Sequence, residues 1–261
     1  VHDIFQKDLS WIAPNATIGQ LLTHTSGIFD HYDEDLITDF DNFFVDIPWY
    51  KLETPTHYLP LFEGKTPKFL PGERFSYSNG GYLFLGIIIE EVTKQLYRDF
   101  VITAVFAPAH MSDSGFYAFN DLPQNTANGY KHNGETSIYN LPIRGASDGG
   151  AFTTTYDLQK FWNALLNHQI LSKELTTLFL SPQVTIEDAF EYGYGIYLSQ
   201  LGQMKTLFIV GGDAGVGLNS LYIPEQKLLV NILSNTTHGE EDMREVVHKG
   251  LAKILWVKLS T

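Results

Sequence analysis

Pro71-Gly72-Glu73-Arg74-Phe75-Ser76-Tyr77-Ser78-Asn79-Gly80-Gly81-Tyr82 decides how this chain is read. A Pro-Gly turn leads through two aromatic residues into a helix start. Downstream, Leu85, Ile88, Ile89, Val92 and Leu96 recur at three and four residues, with Glu90, Glu91, Lys94 and Gln95 between them. That period predicts an amphipathic helix over 79–97. In isolation, Tyr77-Ser78-Asn79 reads as a buried tyrosine and a helix-capping asparagine. Its neighbours change that reading. Upstream lies Leu21-Leu22-Thr23-His24-Thr25-Ser26-Gly27-Ile28, and downstream lie Gly149-Gly150-Ala151-Phe152-Thr153-Thr154-Thr155-Tyr156-Asp157-Leu158 and Gly211-Gly212-Asp213-Ala214-Gly215.

Outward from these motifs the chain divides in two. Residues 1–30 form a short amphipathic piece, with a helix from Ile18 that ends near Ser26-Gly27 and takes its cap from 15–17. Residues 30–75, with Pro48, Pro55, Pro60, Pro67 and Pro71, read as helices broken by loops. Further helices are expected over 155–167, with Thr155 as cap, and over 172–180, with Ser172 as cap. Strands are expected over 192–198, 206–210, 218–223 and 228–233, with a turn at 224–227. A last helix over 240–256 carries Val246, Val247, Leu251, Ile254 and Leu255 on its apolar side. Short consecutive strands with tight connections make an antiparallel sheet. The fold class is therefore α+β: a mainly helical region over 1–185, then antiparallel strands and a helix over 186–261, together one catalytic-type unit.

Composition narrows the function. Thirty acidic residues against 17 basic ones give a formal net charge of −13, which disfavours holding a phosphate backbone, so no nucleic-acid partner is expected. Hydrophobic residues at 44% supply a sizeable core. There is no cysteine, which excludes disulfides, thiolate metal sites and cysteine nucleophiles. The longest apolar run, 82–89, is far short of the ~20 residues of a membrane span.

The order and spacing of L-L-T-H-T-S-G, P-G-x-x-F-x-Y-S-N-x-G-Y, G-G-x-x-T-x-x-x-D-L and the final glycine cluster resemble the penicillin-binding and class C β-lactamase superfamily, which includes esterases and D-amino-acid peptidases. The resemblance covers nearly the whole chain. It implies the β-lactamase/transpeptidase-like fold and hydrolysis of an amide or ester through an acyl-enzyme on serine. It implies a small-molecule or peptide substrate, no cofactor, no metal and a bacterial extracytoplasmic setting. By this resemblance Tyr77 is the catalytic general base or proton shuttle and Asn79 positions the substrate. A free phenol titrates near pH ~10, so Tyr77 needs a cation or a lysine beside it to act. The third motif, a cation or imidazole two residues before a glycine, falls on Ile209-Val210-Gly211. Gly211 then admits substrate, and Gly212 supplies a backbone N–H to the oxyanion. Ile209 in place of the cation puts carboxylate recognition in doubt and favours an esterase-like site.

The family's nucleophile sits in S-x-x-K, and no serine here is followed by lysine three residues on. Residues 1–5 resemble the segment that follows the nucleophile helix, so the expectation is that this motif lies a few dozen residues before Val1. A chain without that helix and its strands is incomplete at its N-terminus and expected to be inactive, and poorly soluble or oligomeric through an uncovered sheet edge. The alternative is a non-catalytic relative that binds a peptide, cell-wall fragment or protein partner.

Two rival constellations are weaker. Gly145-Ala146-Ser147-Asp148-Gly149 matches the G-x-S-x-G nucleophile elbow, with His168, His238 and His248 following, but a proline and an arginine precede it where an apolar strand belongs. His24 and His31 with Asp30 and Asp33 could be stretched into a metal site, without H-E-x-x-H. His238 before Glu240, Glu241 and Asp242 reads more simply as the acidic first turn of the last helix.

Overall fold

A computed structural model describes residues 4, 9–37, 39–187 and 190–259. Of the opening segment 1–5, only Ile4 falls within that range. Helix α1, Ile18–Leu22, starts at Thr17, whose side chain accepts from Gln20 N–H while the Gln20 side chain accepts from Thr17 N–H. This reciprocal capping box lets a five-residue helix hold. After it the chain folds back on itself. Thr25 and Gly27 carbonyls accept from Gly72 and Lys68 N–H, and His24 carbonyl accepts from Ser76 N–H. Gly27 lies at φ +69°, and a Cβ there would overlap the Phe69 carbonyl. Glycine is thus required both by conformation and by the close approach of a backbone. The T-H-T-S-G phrase and the P-G-x-x-F-x-Y-S-N block are therefore two sides of one backbone ladder.

Residues 30–75 contain short 3-10 helices, Phe40–Asn42, Trp49–Lys51 and Pro55–Phe62, in place of regular helices. Pro60, inside the last of these, lacks the N–H group that an α-helix would need there. Helix α2, Asn79–Thr93, ends earlier than the apolar period predicts, because Lys94 turns into the left-handed region at φ +58°. Its buried stripe is Leu83, Phe84, Ile87 and Ile88, packed with Trp11, Leu21, Leu52, Tyr58 and Phe62. Val92 and Leu96, expected on that stripe, are 67% and 40% exposed. Helix α3, Tyr97–Val101, follows separately and runs into a π-turn, Ile102–Phe106.

Helix α4, Thr155–Leu166, is capped by Thr154, one residue before the expected cap, through its bond from Asp157 N–H. The fully buried Asp157 meets Lys160 Nζ at 2.7 Å and accepts from Ser114 Oγ and Asp113 N–H. The G-G-x-x-T-x-x-x-D-L phrase is thus a structural staple. Helix α5, Lys173–Phe179, starts at Ser172 as expected.

Six antiparallel strands follow in the order β1-β2-β3-β4-β5-β6: Val184–Glu187, Phe190–Tyr192, Tyr197–Leu201, Met204–Asp213, Val216–Ile223 and Leu228–Ser234. The single strand expected over 192–198 is two, β2 and β3, joined by a turn at Gly195, φ +94°. On one sheet face Leu198, Leu207 and Ile209 pack with Trp162 of α4. On the other, Phe208, Leu221 and Ile223 pack with Leu251 of α6, Gly239–Leu259. Burying side chains of this size contributes about 1.5–3 kcal/mol each. Val246 and Ile254, expected on the apolar side of α6, are 65% and 59% exposed. The outer edge of β6 carries no strand among the described residues. No described helix is long and apolar enough to cross a membrane. The result is a mixed α+β fold with one antiparallel sheet.

Candidate active site

The loop after Gly27, the start of α2 and the end of β4 meet at one place. Asp30 organises the junction. Its carboxylate accepts from the N–H groups of Tyr32, Asn79 and Gly80, while Ser78 Oγ accepts from Gly81 N–H. Together they satisfy the free donors of the first turn of α2 and fix Tyr77 and Asn79 beside it.

Tyr77 packs its ring on His24, with centroids 4.2 Å apart. His24 is 2% exposed and lies among Phe75, Tyr77, Tyr82 and Tyr192. Its Nδ1 accepts from Ser78 N–H at 3.0 Å, so Nε2 carries the proton and donates to Tyr192 Oη at 3.1 Å. Burial lowers its pKa to about 3. His24 is therefore a neutral structural link between the two motifs. The Tyr77 hydroxyl makes no hydrogen bond among the described residues. Burial pushes its pKa well above the ordinary phenol value, and Glu34 and Asp148 push in the same direction.

The Asn79 amide donates to the Tyr32 carbonyl at 3.1 Å and to Glu34 Oε1 at 3.3 Å. Both N–H groups are taken, so what Asn79 offers the cleft is its Oδ1, an acceptor. Holding a substrate carbonyl, the role the motif suggests, needs a donor.

Strand β4 pairs with β3 only as far as Phe208, and from 209 to 213 it pairs with β5 alone. One backbone edge of 209–213 is thereby left open. Gly211 and Gly212 are exposed on it, and a Cβ on Gly212 would meet nothing within 4 Å. Ile209 faces the Trp162 core. Four residues on, on the same face, Asp213 reaches the loop before α2, where Tyr32 Oη donates to its carboxylate at 3.4 Å. Sequence reasoning misses Asp213, although the period of two along β4 carries the signal.

Asp148 is missed as well, in the loop that draws notice only for its serine. That serine, Ser147, donates to the Leu83 carbonyl at 3.3 Å and lies against Gly86. Among the described residues it bonds no histidine, so the elbow is not assembled. Asp148 Oδ2 lies 3.9 Å from His31 Nε2. Burial raises the carboxyl pKa of Asp148 and of Asp30 to about 7, and that of Asp213 to about 6. Lys68, the cation of this region, is engaged by Asp33 at 2.7 Å and Asp35 at 3.5 Å. Among the described residues no group of three or more His, Asp and Glu side chains is placed to hold a metal ion.

Comparison with known proteins identifies the fold and the family. The crystal structure of a penicillin binding protein from Bacillus halodurans superposes with a TM-score of 0.87 at 37% identity, over 95% of this chain and 76% of that one. Penicillin-binding protein 4* of Bacillus subtilis is 29% identical over 247 residues, 86% of this chain. The chain spans 52% of that relative's length. D-amino acid amidase from Ochrobactrum anthropi shares the fold, with a TM-score of 0.75 at 21% identity over 98% of this chain and 79% of that one. Residues 11–251 match the family described as Beta-lactamase. The match runs from Trp11 to Leu251, the span that holds the ladder, the α2 start and the open β4 edge, and the chain belongs to the β-lactamase family.

Proposed function

We propose that this unit hydrolyses an amide or ester by acyl transfer to serine, with the S-x-x-K nucleophile supplied by sequence outside these 261 residues. The observation that carries the reading is that Tyr32 ties the start of α2, where Tyr77 and Asn79 sit, to the end of β4: its carbonyl accepts from the Asn79 amide and its hydroxyl donates to Asp213, beside the edge that β3 leaves open over 209–213. Substrate lies along that edge, and Gly212 N–H faces the carbonyl oxygen as charge develops on it. The serine hydroxyl passes its proton to a base and attacks the carbonyl carbon. The tetrahedral adduct collapses as the leaving group takes a proton, and water then frees the acyl group by the reverse order of steps.

Tyr77 in its present surroundings stays a phenol at neutral pH, because burial and acidic neighbours disfavour its anion. It takes part in proton transfer once an ammonium stands beside it, which is the place of the lysine of S-x-x-K.

The test uses the protein as its gene encodes it. A fluorophosphonate probe is expected to label one serine, located by peptide mass spectrometry. Absence of labelling on a folded sample would remove the hydrolase reading and leave a binding relative.

A further inference from the structure

Tyr32 belongs to neither α2 nor β4, yet all of its polar atoms are engaged between them. Its N–H donates to Asp30 Oδ1 at 3.1 Å, its carbonyl accepts from the Asn79 amide at 3.1 Å, and its hydroxyl donates to Asp213 Oδ1 at 3.4 Å. Asp30 in turn accepts from Asn79 and Gly80 N–H, so Tyr32 is fastened to the start of α2 twice and to the end of β4 once. The ring is fixed as well. It stacks on Phe40, with centroids 5.6 Å apart and planes 7° apart, and Phe43 meets it edge-on at 4.6 Å. Packing against two rings removes most of the side chain's rotamer freedom, so the hydroxyl meets Asp213 already ordered.

The end of β4 is gripped a second time, from the residue after Phe40. Asp41 Oδ1 accepts from Thr237 Oγ1 at 2.6 Å, and Thr237 Oγ1 accepts from Gly215 N–H at 2.7 Å. The other Asp41 oxygen accepts from His132 N–H at 2.9 Å. Ala214, between Asp213 and Gly215, is fully buried. The turn from β4 to β5 is thus held at Asp213 by Tyr32 and at Gly215 by Thr237, with Phe40 and Asp41 behind one grip each. Ladder bonds leave this end of β4 one-sided: over 209–213 it pairs with β5 and, among the described residues, with no strand on its other edge. The two grips supply from outside the sheet what a second neighbouring strand would otherwise supply.

We propose that Tyr32 is a positioning residue for acyl transfer: backed by Phe40–Asn42, it sets the end of β4 relative to Tyr77 and Asn79 at the start of α2. The proposal rests on the hydrolase reading above and goes beyond it, because Tyr32 lies outside every motif that the sequence marks. Acyl transfer needs the proton-transfer group and the oxyanion donor placed about one carbonyl, and here they sit on two elements, Tyr77 before α2 and Gly212 on β4. A misplacement of about 1 Å between such groups costs about 10²-fold in rate. Tyr32 acts on both through Asn79 and Asp213, and its hydroxyl is the link that a single substitution removes without disturbing the ring stack or the backbone bonds.

The experiment follows Tyr32→Phe in the protein as its gene encodes it, by fluorophosphonate labelling kinetics and by hydrogen exchange with mass spectrometry. The limiting labelling rate is expected to fall about five- to tenfold, the equivalent of one hydrogen bond, with the half-saturating probe concentration and the thermal midpoint unchanged. Exchange in peptides covering 209–216 is expected to rise severalfold, with helix α4 as the unchanged reference. Asp213→Ala should slow labelling at least as much, and adding Tyr32→Phe to it should cost nothing further. Asp213→Asn keeps an oxygen for the Tyr32 hydroxyl and should restore the parent rate. Asp213→Ala also gives the second reading should Tyr32→Phe fail to fold. Unchanged exchange over 209–216, raised exchange with unchanged labelling, additive losses in the double variant, or a loss in Asp213→Asn as large as in Asp213→Ala would each overturn the proposal. A folded parent that takes no label removes the hydrolase reading and the positioning role with it, whereas a parent that labels normally beside an indifferent Tyr32→Phe removes the positioning role alone.

Discussion

Asp148 is the sharpest place to test the electrostatics of the cleft. Its side chain is 16% exposed. Burial lifts its pKa from 3.8 to about 7, aided by the fields of Asp30 and Asp213 and opposed by its own N–H and that of Gly149. The folded pKa is the higher one, so below 3.8 both states are protonated and the shift costs nothing. Between 3.8 and 7 the folded chain binds a proton that the unfolded chain has lost, and stability falls as pH rises. Above 7 the whole penalty stands. At ~1.4 kcal/mol per unit, a shift of this size amounts to about 2–4 kcal/mol at pH 8, with local relaxation setting the lower end. Asp148→Asn keeps an oxygen for both N–H donors and removes the charge. The variant is expected to unfold at higher urea than the parent at pH 8, by about 1 M for a chain of this size, and at the same urea at pH 4. Tryptophan fluorescence through urea titrations at both pH values measures this. The difference between parent and variant cancels every other titrating group to first order. An equal gain at both pH values, or a loss at pH 8, would show that Asp148 is not a destabilised carboxylate.

Other outcomes follow from the same geometry. Tyr77→Phe, in the protein as its gene encodes it, is expected to slow fluorophosphonate labelling and lower kcat by about 10²–10⁴-fold, the range for a lost proton-transfer group, with little change in thermal midpoint. His24→Leu strands the Ser78 N–H and the Tyr192 hydroxyl and should cost about 2–4 kcal/mol in urea unfolding at pH 7. The parent, whose buried His24 stays neutral while the unfolded imidazole charges below 6.5, should lose stability toward acid more steeply than this variant. Gly217→Ala drives a Cβ into the buried Glu240 carboxylate, the end of a flexible side chain, and should destabilise by about 1–2 kcal/mol, with Gly217→Ala/Glu240→Ala recovering part of it. The open edge of β6 predicts self-association of this chain, read by light scattering, and Leu233→Lys on that strand should shift it toward monomer.

What is legible in the sequence is what depends on local chemistry. The caps at Thr17 and Ser172, the helix start at Asn79 and the antiparallel strands all follow from short-range rules. The failures also have local causes. The period of α2 continues past its end because Lys94, not a glycine, takes the left-handed turn. Sequence reads β2 and β3 as one strand because Gly193 and Gly195 sit among aromatic residues of high strand propensity, which masks the turn. Residues 30–75 read as helices broken by loops, and Pro60 inside Pro55–Phe62 is one reason a 3-10 path stands where an α-helix is expected. The cluster of carboxylates is invisible for another reason. Asp30, Glu34, Asp148 and Asp213 come from three segments, and nothing in their separate neighbourhoods tells that they converge.

The third motif shows how packing constrains chemistry along one strand. Ile209, Gly211 and Asp213 share a face of β4, but their surroundings differ. Ile209 is partly buried against the cluster of Trp162, Ile196, Leu198 and Leu207. It adds an apolar side chain to this core and leaves position 209 without a charge. Gly211 lies at the rim, where a Cβ would meet only the Leu218 side chain at ordinary contact distance, and Asp213 is the first side chain on this face that meets the cleft. The strand thus delivers a carboxylate where the resemblance predicts a cation. Reversing the sign at Asp213 alone would set a positive charge beside Asp148 and Glu34 and lower their pKa values, so the charge of the substrate group and the protonation of the cleft are linked through one position.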